Sequence, residues 1–407
     1  MSDSTGSTSY GYDIANRVTT VSTPQGSTSY GYDNANRETS LTENGTLATS
    51  YVYDNDNRRT SLTNSDSETT TWAYDSAGRV TSQTVASGEV STFGYDNRNR
   101  QTSVSHANSS ATVLEAESYV YDVAGNLTSK TVGSTTTSYT YDNADQLLTE
   151  SNPGYSASYT YDANGNRTSK TLGGVTDTYT VDNGDKLTST STKSYTYDAD
   201  GRTSTVISSS GTTTLNYDYE GRLTSIVNPS GSTYTYTYNG LDTRVGKNEG
   251  TSQTFRRDGV DVTSPVLSDG IGHFTPGVSE RTTATTFYHA DRLGSYDVQS
   301  NVSQAVTATK TFDAFGLLVA STGTPVGPFG FVGRAGYQSD ASGLQLLGHR
   351  YYDSSTGRFL TRDTDTEGRN WYDYVSNNPL LRTDARGLGP GDDYKPQIVG
   401  LYRVFRG

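Results

Sequence analysis

The reactive side chains of this sequence are carboxylates. Its 407 residues hold 44 Asp and Glu against 31 Lys and Arg, a net charge of −13, with no cysteine and four histidines. Two carboxylates held close together can share one proton, because like charges disfavour double ionisation. The ionised member can then take a proton from water while the protonated one polarises a scissile carbonyl. Asp363, which ends "RFLTRD", and Asp384, in "TDARGL", are 21 residues apart, so only a folded segment can bring them together. Spacing alone does not separate them from aspartates that merely form turns.

Other chemistries find less support. Without cysteine there is neither a thiolate metal site nor a disulfide framework. His106, His273, His289 and His349 are scattered and lack zinc-site spacing. No Gly-x-Ser-x-Gly elbow and no phosphate loop occur, and "RVGKNEG" (244–250) has the wrong spacing for the latter. "YDADGR" (197–202) could suggest calcium, but a closing Glu is missing. No cofactor and no metal are expected.

Most of the remaining aspartates belong to a repeated phrase. "GYDIANR" at 11 returns as "GYDNANR" at 31, and then as "VYDNDNR", "AYDSAGR", "VYDVAGN" and "YDANGNR". The residue before the Asp is Tyr12, Tyr32, Tyr53, Tyr74, Tyr95, Tyr121, Tyr141, Tyr161, Val181, Tyr197 and Tyr217, mostly 20 or 21 residues apart, with a degenerate twelfth copy at Tyr238–Asn239. Each unit reads as a β-hairpin. In "TSYTYD", Tyr139 and Tyr141 fall on one strand face. The Asp and the following Gly or Asn then make the turn. Asp33, Asp54, Asp142 and Asp162 are read as turn formers. Regular tyrosine at strand spacing is read as wall packing, with a carbohydrate-binding face as the weaker reading.

A single hairpin buries too little to be stable, so the units must stack edge to edge. Twelve units of two strands, at about 4.8 Å per strand, would give a sheet about 115 Å long, which twist would coil. Only 31% of residues are apolar, yet 32 Tyr at regular intervals argue against disorder. The fold class expected is all-β: spiralling antiparallel hairpin repeats forming a hollow shell with a C-terminal core plug. The acidic balance argues against nucleic acid as a partner, and no apolar run reaches the length of a membrane span. The opening "MSDSTGSTSYGYD" has no apolar signal segment.

Near residue 245 the period dissolves, and from 288 unrepeated phrases follow: "YHADRLGS", "TFDAFG", "GLQLLGHRYYDSSTGRFLTRD", "YVSNNP" and "TDARGL". Four segments result: 1–244 as repeat shell, 245–287 as connecting shell, 288–388 as core, and 389–407 as the start of a variable tail or its remnant.

The repeated units resemble the YD repeats of Rhs proteins, of Tc-toxin C subunits and of teneurins, and 288–388 is similar to the Rhs-associated core. The resemblance implies a β-cocoon that encloses a C-terminal toxin, and a core that frees it by a single intramolecular aspartyl proteolysis. Carried onto this sequence, it makes Asp363 and Asp384 catalytic, with Arg362 beside them, and puts the cut between Leu388 and Gly389. The family's Asp-Pro-x-Gly reads "DTDTEG" after Asp363 and "DARG" at Asp384, without the prolines. The implied partners are the chain's own C-terminal cargo peptide and N-terminal shell or delivery components. The implied setting is a monomeric bacterial protein, secreted or at the cell surface, that serves bacterial competition. The rival reading is a non-enzymatic surface or adhesion module whose core is purely structural.

Overall fold

The Tyr-Asp phrase builds the wall, and one unit shows how. Asp33 Oδ1 accepts the backbone N–H groups of Ala35 (2.9 Å) and Arg37 (2.9 Å), while its other oxygen takes Arg37 Nε at 2.7 Å. Asn36 closes the turn in the left-handed region (φ 64°), where asparagine is tolerated. Arg37 then reaches the next unit, donating to the Asp54 carbonyl (2.9 Å) with its guanidinium over the Tyr53 ring (5.0 Å). Tyr53 returns the link, its hydroxyl donating to the Glu38 carbonyl at 2.7 Å. The same linkage recurs at Arg17–Tyr32, Arg58–Tyr74, Arg79–Tyr95 and Arg202–Tyr217. Tyr, Asp and Arg thus recur together because each unit is tied to its neighbour through all three.

The computed structural model describes residues 2–364 and 370–389 and the backbone of 392–393. From Ser9–Tyr12 to Leu318–Gly323, successive strands pair antiparallel with their chain neighbours. The ladder pauses at Tyr179 and Phe255, whose N–H groups still donate across it to Thr168 and Val245 (both 2.9 Å). A register shift falls just before the tyrosine that precedes the turn Asp in unit after unit, as between Thr140 and Tyr141. Such bulges bend the strand and add twist. No α-helix occurs among the described residues.

Hairpins continue past residue 245, where the repeat period ends. Phrases such as "YHADRLGS" keep the turn without the period: Asp291 N donates to Ser295 O (3.0 Å), and Thr285–Ala290 pairs with Tyr296–Asn301. This later stretch folds back over the earlier wall. Arg256 reaches Glu43 (2.5 Å), Ser300 donates to Glu89 (2.8 Å), and Lys170 pairs with Asp313 (2.9 Å).

Inside lies a small four-stranded sheet, Gln338–Ser339, Gln345–Leu347, Arg350–Asp353 and Arg358–Phe359. Its Leu347, Tyr352 and Phe359, with Tyr374, share one hydrophobic cluster with wall residues Tyr119, Leu147 and Tyr159. Docking follows a substitution in the repeat. Where most units carry Arg after the turn, two carry Asn126 and Asn166, and these short amides receive the plug. Asn378 donates to Asn126 (2.8 Å), and Arg358 and Asn370 donate to Asn166 (3.0 and 2.6 Å).

Candidate active site

At one end of the plug the chain 384–389 curls beside the strand that begins at Arg350. Two glycines allow the approach. Gly348 (φ 52°) and Gly387 (φ 67°) face each other's backbones, and a Cβ on either would run into the opposite chain, at Arg386 or Leu347. His349 N donates to Arg386 O at 2.9 Å, fixing the crossing. Asp363 leaves the last plug strand with its N–H on the Trp371 carbonyl (2.9 Å). Asp384 is anchored by its N–H on the Tyr337 hydroxyl (2.7 Å), which lies 3.0 Å from the Tyr374 hydroxyl.

The structure brings Asp363 and Asp384 onto one guanidinium. Arg350 Nη2 stands 2.8 Å from Asp363 Oδ2 and 3.3 Å from Asp384 Oδ2. All three residues are buried, at 5% exposure for Arg350, 7% for Asp363 and 3% for Asp384. Arg350 also donates Nε to the Gly387 carbonyl and Nη1 to the Trp371 carbonyl (3.3 Å), and it packs over the Phe359 ring at 3.7 Å.

The Leu388–Gly389 peptide lies against the pair. Leu388 N donates to Asp384 Oδ1 and Gly389 N to Asp384 Oδ2, both at 3.1 Å. A Cβ built on Gly389 would stand 3.3 Å from Asp363 Oδ2. Burial pushes the Asp384 carboxyl above its usual range, against the pull of Arg350 and the backbone donors. Nearby Asp373 is pushed up to about 6, again by burial.

Arg362 is placed elsewhere. Its Nε is 3.3 Å from the Tyr372 hydroxyl, its guanidinium lies over Trp371 at 5.5 Å, and none of its described contacts is with either carboxylate. The arginine at the pair is Arg350, which sequence reading did not single out. The available signal was a charged residue opening the otherwise enclosed strand of "GHRYYD". Beyond Gly389 and the backbone of 392–393, the tail 389–407 lies outside the described residues.

One other group of carboxylates has spacing that could suit a metal: Glu115, Glu117 and Asp297, with oxygens within 4.8 Å of one another. Lys130 already stands among them, 2.8 Å from Glu117 and 3.8 Å from Asp297, and supplies the positive charge. Burial raises Glu115 to about 7.

Comparison with known proteins places this geometry in context. A teneurin YD-shell family model matches residues 85–256, and an RHS repeat model matches 15–48 and 53–90. Two toxin subunits of Yersinia entomophaga, YenC2 and YenC1, are 43% and 41% identical over 60 and 61 residues. Those stretches are 14% of this chain and 6% of either subunit. A Photorhabdus luminescens Tc holotoxin pore structure superposes with a TM-score of 0.70 at 18% identity, over 96% of this chain and 21% of that one. The TcdB2–TccC3 crystal structure gives 0.70 at 19%, over 94% and 22%. The chain therefore spans about a fifth of the length of the solved chains it resembles.

Proposed function

Because the chain belongs to the Rhs/YD-repeat family, we propose that it is wall and plug of a toxin-enclosing shell that cuts itself once, between Leu388 and Gly389. The observation that carries this reading is the Leu388–Gly389 peptide lying against two buried carboxylates, its nitrogen donating to Asp384.

In the proposed reaction Asp363, the carboxylate nearer Arg350, takes a proton from a water molecule. The water oxygen bonds to the Leu388 carbonyl carbon, giving a tetrahedral intermediate. Asp384 passes its proton to the Gly389 nitrogen as the C–N bond breaks. The products are a Leu388 carboxyl and a free Gly389 amine, and the proton gained by Asp363 returns the pair to one shared proton. Each active site acts once, on its own chain. The C-terminal segment after Leu388 is the cargo, and N-terminal shell or delivery components are the further partners of a secreted or cell-surface bacterial protein serving competition between bacteria.

The rival adhesion reading has less behind it. The second tyrosine of most units is engaged in the wall, its hydroxyl donating to the preceding unit's backbone, as Tyr161 does to Leu147 (2.8 Å). The test is a time course of the purified chain. Asp363→Asn and Asp384→Asn should each stay full length while the parent sheds its tail. Shedding at the parental rate in both variants would contradict the proposal.

A further inference from the structure

Arg350 is more enclosed than a surface clamp and more fully engaged than charge balance alone would require. Its guanidinium is stacked on Phe359 at 3.7 Å, and its donors meet four acceptors from three parts of the chain. Two are the carboxylates, one is the Trp371 carbonyl, and one is the Gly387 carbonyl, in the segment that would be cut. The planar fork of arginine can hold such an array with fixed angles, which a lysine ammonium cannot.

The contacts with the carboxylates are unequal. Asp363 is the nearer partner at 2.8 Å, with Asp384 at 3.3 Å, and only Asp384 also takes the N–H groups of Leu388 and Gly389. We propose that Arg350 is the positioning residue of the pair: it holds both carboxylates on one guanidinium, Asp363 the nearer, and holds the Gly387 carbonyl so that the Leu388–Gly389 peptide lies against them. This rests on the self-cleavage reading above. Asp373, itself buried, and His349 on the adjoining turn also interact with Arg350.

The experiment measures self-cleavage against pH for the parent, Arg350→Lys, Arg350→Met and Asp363→Asn, with thermal melting of each. In Arg350→Met the carboxylate pair loses the cation both members contact, so the pair protonates more readily. The acid limb of the rate profile should therefore move to higher pH by roughly 1–3 units. Arg350→Lys keeps the charge but not the fork, so its acid limb should stay near the parental position while the rate falls at least tenfold. A residue that only supports the fold would lower melting temperature without separating the two variants in this way. If Arg350→Met does not fold, Arg350→Lys decides: a parental rate overturns the assignment, and a slowed rate at parental stability supports it. Parental profiles in both arginine variants, with Asp363→Asn inert, overturn the role of Arg350 alone. Cleavage by Asp363→Asn overturns the self-cleavage reading itself.

Discussion

Arg244 of the wall and Asp340 of the plug form an ion pair in which neither side chain is exposed to solvent. Lys247 Nζ adds a second contact to Asp340 at 3.0 Å, and Tyr351 Oη lies 2.8 Å from Arg244 Nη1. Removing the one carboxylate leaves two enclosed cations without it. Asp340→Ala should therefore cost about 3–5 kcal/mol. Asp33→Ala, which deletes a half-exposed turn pair with Arg37, should cost about 1 kcal/mol. Urea unfolding of the two variants checks the contrast.

Phe315 ties the later hairpins to the earlier wall. Its ring meets Tyr159 edge-on at 5.0 Å, and it is fully buried. Phe315→Ala should destabilise by about 3–5 kcal/mol through lost burial and the cavity left behind. A midpoint of unfolding equal to the parent's would show that this contact does not hold the layers together.

Glu150 gives the stability a pH dependence. Burial, and then the charge of Asp313, raise its pKa from 4.5 to about 8. For a group raised in the folded state, the stabilising contribution is full below 4.5 and is lost as pH rises through about 8. Glu150→Gln keeps an oxygen for the Ala314 N–H but cannot ionise. It should melt above the parent at pH 8 and close to it at pH 5, as scanning calorimetry at the two pH values would show.

Gly387→Ala should block tail release more than it harms folding. At φ 67° the new Cβ would strike the Leu347 carbonyl, which pushes apart the crossing that seats the 384–389 loop. Band shift on a gel reads release, and circular dichroism reads the wall.

The hairpin wall was legible because its determinants are local and repeated: Asp at the turn, Tyr and Arg at the links. "YHADRLGS" and "TFDAFG" also proved to be hairpin turns, although the period had ended, since a turn needs only its own few residues. Asp313 N, for example, bonds Leu317 O at 2.9 Å. Asp363 and Asp384 were singled out only through family resemblance, because 21 residues of spacing carry no geometry. Arg350 escaped notice for the same reason. Its partners come from residues 363, 371, 384 and 387, and only tertiary folding collects them. Arg362 came from the same family motif, and its described contacts are with Tyr372 and Trp371.

Mass spectrometry of the purified chain incubated in heavy-oxygen water tests the central claim most directly. The account predicts a shell ending at Leu388, with one heavy oxygen in its new carboxyl group, and a tail beginning at Gly389. An uncut chain, or a terminus at any other residue, would contradict it.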